Sequence, residues 1–430
     1  MTLAANPVIP LKRLAAVMPS NVDKHSVEGE QQVSLCNYVD VYKNERITDA
    51  LDFMEATATE AQVARFTLQA HDVIVTKDSE EPTDIGIPAY VPSSLPGVVC
   101  GYHLAVLRPS DDRLYGGYLH WALQSAEVKA YYSTAATGIS RYALGIGDLG
   151  MTPIHVPSRT EQVRIANFLD EQTARIDSLI AEKERLERVL KESVWDEVTR
   201  AVTLGLSRIG MRQTGIDWCP EVPSHWDVLL LRRLFHQTEY GISESLGPEG
   251  AIAVLRMGNL RDGRVEMTDL KYVDEAPAEL LLRSGDVLYN RTNSLAQVGK
   301  VGVVRELPNC PVTFASYLVR LVPNDRVIPD YLAYLLNCPD VLAIARSLAL
   351  PAIGQANLNP NRYGYMRVPC PPVEEQRAIV EHLDRRSKAI QGLVDHVAKH
   401  IARLREYRSS LISAAVTGQL DMSTATSNSR

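Results

Sequence analysis

Two long stretches of the chain carry apolar residues at spacings of three and four positions, which is typical of a helix with one narrow apolar face. They cover 161–206 and 375–420, and neither contains a proline. The apolar positions in the second stretch are Ile379, Leu383, Ile390, Val394, Val397, Ile401, Leu404, Leu411 and Ala415. The pattern predicts two helices, each roughly 70 Å long. A face this narrow needs a partner helix to cover it.

Both predicted helices have recognisable ends. Ser158 and Glu161 have the spacing of a capping box, in which the serine oxygen accepts an early backbone N–H. Two prolines at 371–372 stand just before the second helix, where proline is favoured. A glycine lies near the end of each stretch and suits a helix stop. We therefore predict long helices at 158–207 and 373–420.

The chain also repeats itself at an offset of 214 residues. The segment EQVRIA at 161–166 is answered by EQRAIV at 375–380, and the triplet AVT at 201–203 recurs at 415–417. The repeat extends upstream, because HDVIV at 71–75 resembles GDVLY 214 positions later. Self-similarity of this kind indicates a duplicated architecture. The predicted order is therefore domain, helix, domain, helix.

The regions between the helices have the pattern of mixed α+β domains. Short β-rich runs, such as 98–107 and 298–304, are broken by Gly, Pro, Asn and Asp turns. We predict one globular domain at 1–157 and a second at 208–372. Residues 421–430, which follow the second helix, are predicted to form a disordered tail.

Charge indicates which helix covers which apolar face. Residues 161–206 hold seven basic and ten acidic side chains, whereas residues 375–420 hold eight and five. Opposite net charges favour pairing of the two helices with each other, although exposed ion pairs contribute only about 0–1 kcal/mol each. A compact domain joins the end of one helix to the start of the other. The predicted fold is therefore α+β, with two pseudo-symmetric domains separated by two long antiparallel helices that form a coiled coil.

Composition narrows the possible environments and partners. The six cysteines are scattered and form no CxxC pair, which favours a reducing cytoplasm over a disulfide framework or a zinc site. No apolar run reaches the length of a membrane span. The formal net charge is −7, and residues 1–160 hold 12 basic and 18 acidic side chains. This acidity weighs against DNA binding by electrostatics alone.

Three motifs that suggest chemistry each lack an essential part. GIGDLG at 145–150 fits GxGxxG, but Thr152 and Pro153 follow at once, so we expect a loop and no dinucleotide site. His396 and His400 have the spacing of a zinc helix without its glutamate, and we expect them to be solvated. CPPV, which ends at Val373, lacks the polar and aromatic residues of adenine methyltransferases. We therefore predict no enzyme activity, no cofactor and no metal site.

Several features of the chain together resemble one known family of proteins. They are the order of domains and helices, the Glu-Gln helix starts and the AVT helix ends. GDVL at 285–288, and GIDW at 215–218 leading to PSHW at 223–226, are the most specific pieces of this resemblance. The chain resembles the specificity subunits of type I restriction–modification systems. This resemblance implies that each domain reads one half of a bipartite site in double-stranded DNA. It also implies docking of two modification subunits, which methylate adenine N6 with S-adenosylmethionine, and of restriction subunits where the system also cleaves DNA.

Candidate base-reading residues lie in loops that the repeat places in equivalent positions. Arginine can bind O6 and N7 of guanine, and asparagine or glutamine can bind N6 and N7 of adenine. The candidate DNA-binding residues are Lys77, Arg141, Arg291, Asn293, Lys300 and Gln355. Each of them is explained equally well as a solvated loop residue.

A second interpretation is a two-headed adaptor, built on a coiled coil, whose domains bind proteins instead of DNA. The net acidity favours this interpretation, and the arginine-bearing loops at matching positions oppose it. Gel shifts of DNA, measured with and without the modification subunit, distinguish the adaptor from a DNA-recognition subunit.

Overall fold

The computed structural model of the chain describes residues 6–208, 210–352, 354–420 and 422. Contacts divide the protein into two compact units. The first unit comprises Met1–Glu184 and Ala398–Arg430, and the second comprises Arg185–Val397. Apart from Met422, the predicted tail lies outside the described residues.

The first unit is built from short strands and helices, followed by the start of a long helix. Its strands are β1 (Val8–Pro10), β2 (Ala15–Pro19), β3 (Gln31–Cys36), β4 (Met54–Ala58), β5 (Val73–Thr76), β6 (Asp78–Ser79), β7 (Pro88–Tyr90), β8 (Val98–Cys100), β9 (Leu104–Pro109), β10 (Tyr142–Ala143) and β11 (Pro153–His155). Its helices are α1 (Tyr38–Lys43), α2 (Glu60–Phe66), α3 (Gly116–Leu123), α4 (Ala126–Ala135), α5 (Ile146–Met151) and the beginning of α6 (Arg159–Leu204), with a 3-10 turn at Leu11–Arg13.

The second unit contains the rest of α6 and a further set of short elements. Its strands are β12 (Met211–Gln213), β13 (Glu221–Pro223), β14 (Asp227–Leu230), β15 (Phe235–Tyr240), β16 (Ile252–Leu255), β17 (Leu260–Arg261), β18 (Gly263–Val265), β19 (Lys271–Val273), β20 (Val287–Asn290), β21 (Thr292–Asn293), β22 (Val301–Val303), β23 (Val312–Phe314), β24 (Leu318–Pro323), β25 (Leu350–Ala352), β26 (Gln355–Asn357) and β27 (Arg367–Cys370). Its helices are α7 (Pro329–Asn337), α8 (Pro339–Leu348), α9 (Pro360–Gly364) and the beginning of α10 (Val373–Val416), with 3-10 turns at Leu231–Arg233, Met257–Asn259 and Ala278–Leu280.

Strand order in the two units matches, except that the larger sheet of the second unit has two additional strands, β18 and β17. In the first unit the sheets run β2-β9-β5-β7 and β4-β3-β8, and β1 pairs with β11. In the second they run β15-β24-β20-β22-β18-β17 and β19-β16-β23, and β14 pairs with β27. The one parallel pairing of each three-stranded sheet is also equivalent, β3 with β8 and β16 with β23. The pseudo-symmetric α+β architecture predicted from the repeat is therefore confirmed.

Within each unit, α6 and α10 pack against each other in antiparallel directions. In the first unit, Arg405 bonds Glu184 at 2.8 Å and Arg408 bonds Asp177 at 3.0 Å, so numbers rise along α10 as they fall along α6. In the second unit, His382 lies 2.7 Å from Glu197, and Glu375 lies close to Gly205, just past the end of α6. The antiparallel pairing predicted from connectivity and charge is confirmed within each unit. No helix among the described residues is long and apolar enough to cross a bilayer.

Each unit holds a buried carboxylate that an arginine of its larger sheet contacts. In the first unit, Arg108 on β9 bonds both carboxylate oxygens of Asp72 at 2.7 Å, and the Asp72 side chain is fully buried. In the second, Arg320 on β24 bonds Glu239 and lies 3.4 Å from Asp286, and all three side chains are at most 12% exposed. Burial raises the pKa of the Asp286 carboxyl, although bonds from Arg283 and Arg320 oppose that shift. Asp72 and Asp286 are equivalent in the repeat, so both units place an arginine against the same carboxylate.

The GxGxxG segment differs from the expectation of a loop. It forms the short helix α5, which begins after Gly145 because the Asp148 carboxylate accepts the Gly145 backbone N–H at 3.1 Å. The helix ends before Pro153, where β11 begins. Six residues at this position make a short connector between β10 and β11.

His120 is buried inside the first unit without a charged partner that would stabilise its protonated form. Gln124 Nε2 donates to His120 Nε2 at 2.9 Å, so that ring nitrogen carries no proton. The other ring nitrogen has no hydrogen-bond partner among the described residues. Burial, followed by the nearby positive charges of Arg46 and Arg408, lowers the pKa of His120 to about 3.

We expect this histidine to make the fold sensitive to acid. The unfolded chain takes up a proton near the ordinary pKa of 6.5, whereas the folded chain does not until pH approaches 3. The contribution of neutral His120 to the free energy of unfolding is therefore fully present above pH 6.5. It is lost at about 1.4 kcal/mol per pH unit as the pH falls below that value. Urea unfolding between pH 7.5 and 4.5 should show a shallower pH slope for His120→Gln than for the wild type. The control His25→Gln changes an exposed histidine, and equal slopes in all three proteins would contradict the prediction.

Candidate nucleic-acid interface

The two predicted residues of the first unit lie at one small two-stranded ladder. Strands β6 and β10 pair antiparallel, with Ser79 opposite Tyr142. The backbone N–H of Leu144 donates to the carbonyl of Lys77 at 2.8 Å, which continues the ladder by one residue. Arg141 immediately precedes β10 and is exposed. The structure therefore brings Lys77 and Arg141 to the same two-stranded ladder.

The second unit contains the equivalent ladder. Strand β21 pairs with β26, which pairs in turn with β25, and Asn293 lies opposite Ala356. Leu358 donates its backbone N–H to the carbonyl of Arg291 at 2.8 Å, which reproduces the Leu144–Lys77 bond at the offset of the repeat. Gln355 begins β26 and is exposed. Arg291, Asn293 and Gln355 are therefore brought together on this three-stranded sheet.

Lys300 lies beside the same sheet but has no basic counterpart in the first unit. The backbone N–H of Asn290 donates to the Lys300 carbonyl at 2.8 Å. In the first unit the same kind of bond joins Thr76 to Ile87 at 3.1 Å. The two candidate surfaces therefore share a backbone plan and differ in their side chains.

The basic groups of the first unit are unequal in their freedom to bind. Lys77 Nζ lies 3.1 Å from Asp78, and the lysine side chain is 19% exposed. His103 Nδ1 lies 2.5 Å from the same carboxylate, and the Lys77 ammonium lies 5.1 Å from the centre of the Tyr102 ring. Lys77 is thus already paired, whereas the exposed Arg141 is the basic group of this ladder that is open to a ligand.

Arg291 in the second unit has different surroundings. Its guanidinium lies 4.9 Å from the centre of the Tyr240 ring, and Nη1 donates a long bond of 3.4 Å to the Ser316 carbonyl. Its Nε is buried and has no hydrogen-bond partner in the part of the chain that the structure describes. The Tyr240 and Tyr317 side chains are about half exposed on this unit. Sequence reasoning missed both tyrosines, because no local spacing links Tyr240 to Arg291.

The repeated Glu-Gln segment connects each domain to the start of its long helix. Gln162 is fully buried, accepts the backbone N–H of Tyr115 at 2.8 Å, and donates to the carbonyls of Arg113 and Pro157. Gln376 makes the corresponding set of bonds, to Ile328, Arg326 and Pro371. The repeat identified these glutamines, but their function as joints between domain and helix is visible only in the structure.

Two further equivalent contacts hold the long helices. Asp170 accepts a bond from Trp121 Nε1 at 3.0 Å in the first unit, and Asp384 accepts one from Tyr334 at 2.7 Å in the second. The buried hydroxyl of Tyr118 lies 3.2 Å from the Val416 carbonyl at the end of α10. Tyr331 makes the equivalent 3.2 Å bond to Val202 near the end of α6. Each unit thus binds the start of one long helix and the end of the other.

Comparison with known proteins gives this arrangement a family context. The specificity subunit of the type I restriction enzyme EcoKI from Escherichia coli K12 is 23% identical over 365 residues, which cover 82% of this chain and 75% of that protein. The EcoBI specificity subunit of Escherichia coli is 24% identical over 63% of this chain and 58% of its own length. The chain is a homologue of type I restriction enzyme specificity subunits. No protein-family model matches it.

Solved structures share the fold of this specificity-subunit homologue. A chain from a structure of the assembly and conformational transition of a type I restriction–modification system superposes with a TM-score of 0.74, at 17% identity over 97% of this chain and 99% of that one. The HsdS subunit from Thermoanaerobacter tengcongensis superposes with a TM-score of 0.53, at 19% identity over 96% and 97%. The relatives are named specificity subunits, which agrees with the prediction of a recognition subunit without catalysis of its own.

Proposed function

We propose that the chain recognises double-stranded DNA within a type I restriction–modification complex and that each unit reads one half of a bipartite site. The observation that carries the proposal is the equivalence of the ladders β6–β10 and β21–β26. Both present exposed polar or basic side chains at the same offset in the repeat, Arg141 in one unit and Gln355 in the other. A duplicated reader of this kind corresponds to a dimer that matches two half-sites by their spacing.

The proposal assigns the parts of the chain to separate tasks. Residues 1–157 and 208–372 are the two target-recognition domains, and the long helices connect them. Two modification subunits dock on the chain and methylate adenine N6, and restriction subunits join the complex where the system cleaves DNA. This work takes place in the cytoplasm. Because the chain has a net charge of −7, the partner subunits supply further phosphate contacts, and the isolated chain binds DNA weakly.

Lys77, Arg141, Arg291, Asn293, Lys300 and Gln355 remain the candidate DNA-binding residues under this proposal. The contacts described above favour Arg141, Arg291 and Gln355 for base reading. The Lys77 ammonium, already bound to Asp78, suits a structural function better. Asn293 Oδ1 accepts the backbone N–H of Ser294, and so it shapes the loop that follows β21.

Co-expression with the cognate modification subunit, followed by mapping of N6-methyladenine, tests the function. We expect a split motif with two specified halves and an unspecified spacer. Exchange of residues 208–372 for the same region of another specificity subunit should change one half and leave the other intact. Methylation without sequence preference, or a change in both halves, would contradict the proposal. Gel shifts that show no DNA binding even with the modification subunit would favour the two-headed adaptor.

A further inference from the structure

Arg291 stands apart from the well-paired arginines of the second unit. Arg320 bonds Glu239, Arg256 bonds Asp269 at 2.7 Å, and Arg305 bonds Asp330. In the part of the chain that the structure describes, Arg291 forms no ion pair, and its contacts are the Tyr240 ring and the distant Ser316 carbonyl. A half-buried guanidinium without a carboxylate is costly, because both its charge and its N–H groups lose solvation.

Three of the buried polar atoms that have no hydrogen-bond partner among the described residues belong to Arg291, its neighbour Asn290, and Arg346. They are the side-chain oxygen of Asn290, directly before Arg291, and the Nε atoms of the two arginines. Arg346 donates to the carbonyl of Ala296, within the loop that follows Arg291. Buried polar atoms without partners are rare in folded proteins and call for an explanation such as an absent ligand. The unpartnered Nε of Arg291 is therefore compatible with a site that a bound molecule completes.

The position of the guanidinium is set before any ligand arrives. The backbone N–H of Arg291 donates to the Tyr317 carbonyl at 2.9 Å, and its own carbonyl accepts the N–H of Leu358 at 2.8 Å. The Tyr240 ring supports the guanidinium plane through a cation–π contact, which arginine favours over lysine. A planar group with parallel N–H donors matches O6 and N7 of guanine, the commonest specific contact in the major groove.

Phosphate is the other ligand that a guanidinium binds in this way. The residues on β21 and β26 favour a base edge, because their polar side chains are all neutral, namely Thr292 and the amides Asn293, Gln355 and Asn357. Amides of this kind can bind adenine N6 and N7, and they add no positive charge for a phosphate.

We infer that Arg291 binds the N7–O6 edge of a guanine in the half-site read by the second unit. The inference rests on the proposed function and adds the identity of one recognised base. The equivalent position in the first unit does not read a base in this way. Its residue, Lys77, is a single-point donor that the Asp78 carboxylate already binds.

The test is methylation mapping of Arg291→Ala and Arg291→Lys, each co-expressed with the modification subunit. Both variants should lose discrimination at a single G·C pair in one half of the motif, by about 10- to 100-fold relative to the wild type. Lysine keeps the charge but lacks the fork, so it should not restore the preference. The control Arg367→Ala removes one exposed positive charge from β27 and should leave the motif unchanged.

The outcomes separate the inference from the proposed function. A wild-type protein without a split motif overturns the proposed function. A split motif whose second half contains no G·C pair, or one unchanged in both variants, overturns the inference alone. If Arg291→Ala weakens methylation uniformly and Arg291→Lys restores it, Arg291 binds a phosphate. That result also overturns the inference. The unaltered first half of the motif reports that each variant is folded and bound.

Discussion

Replacing Arg320 by leucine should lower the free energy of unfolding by about 3–5 kcal/mol, because the change leaves two buried carboxylates without their cation. Arg320 crosses from β24 to Glu239 on β15 and to Asp286 before β20, and it also donates to the Leu281 carbonyl at 2.9 Å. Its side chain is only 7% exposed, so water does not replace these bonds. The loss should appear as a lower urea midpoint.

Tryptophan fluorescence suits this measurement, because Trp195, Trp218 and Trp226 lie in the second unit and only Trp121 lies in the first. The control Arg233→Leu alters an exposed arginine of the same unit and should change stability by less than about 0.5 kcal/mol.

The pH dependence makes the test sharper. Burial already raises the pKa of Asp286 above its ordinary value, and the loss of Arg320 should raise it further. As the pH falls, Asp286 of the folded variant is then protonated before the same group of the unfolded chain. The loss of unfolding free energy relative to the wild type should therefore shrink as the pH falls from 7 towards 5. A variant as stable as Arg233→Leu would show that the buried cation is not required, and a loss of stability that grows on acidification would contradict the raised pKa of Asp286.

Replacing Gln376 by alanine should lower the free energy of unfolding by about 3 kcal/mol, because three backbone groups lose their partner in a site that excludes water. The side chain accepts the Ile328 N–H at 2.9 Å and donates to the carbonyls of Arg326 and Pro371. These bonds tie the start of α7 and the loop before it to the first turn of α10. Gln162→Ala should have a similar effect in the first unit, where the bonding is equivalent.

A glutamine elsewhere on α10 provides the matched control. Gln391 is exposed, and its amide donates only to Asp395 at 2.8 Å. Gln391→Ala should therefore change stability by less than about 0.5 kcal/mol, and alanine at this site keeps a high helix propensity. If Gln376→Ala and Gln391→Ala unfold at the same urea concentration, the bonds of Gln376 contribute nothing measurable to stability. The recurrence of the Glu-Gln segment then needs another explanation.

The long helices and the duplication were predictable because their signals are regular along the chain. Apolar spacing of three and four residues needs no knowledge of distant segments, and Ser158 caps the first helix as its spacing predicts, at 3.3 Å from the Glu161 N–H. The offset of 214 residues also predicted which positions are equivalent, and the bonds from Leu144 to Lys77 and from Leu358 to Arg291 follow it. The short helix α5 was missed, because one aspartate cap was enough to start a turn before Pro153.

The sequence by itself determined that the chain is an internal duplication with two long helices whose charges and connectivity favour antiparallel pairing. Periodicity and repetition are properties of neighbouring positions, and they survive whatever the rest of the chain does. Only the tertiary structure decided which candidate cations are open to a ligand. The Lys77 ammonium binds Asp78 and lies 5.1 Å from the centre of the Tyr102 ring, and Arg291 lies over Tyr240, a residue about fifty positions away in the chain. Pairing and stacking depend on which strands become neighbours, and no local spacing records that.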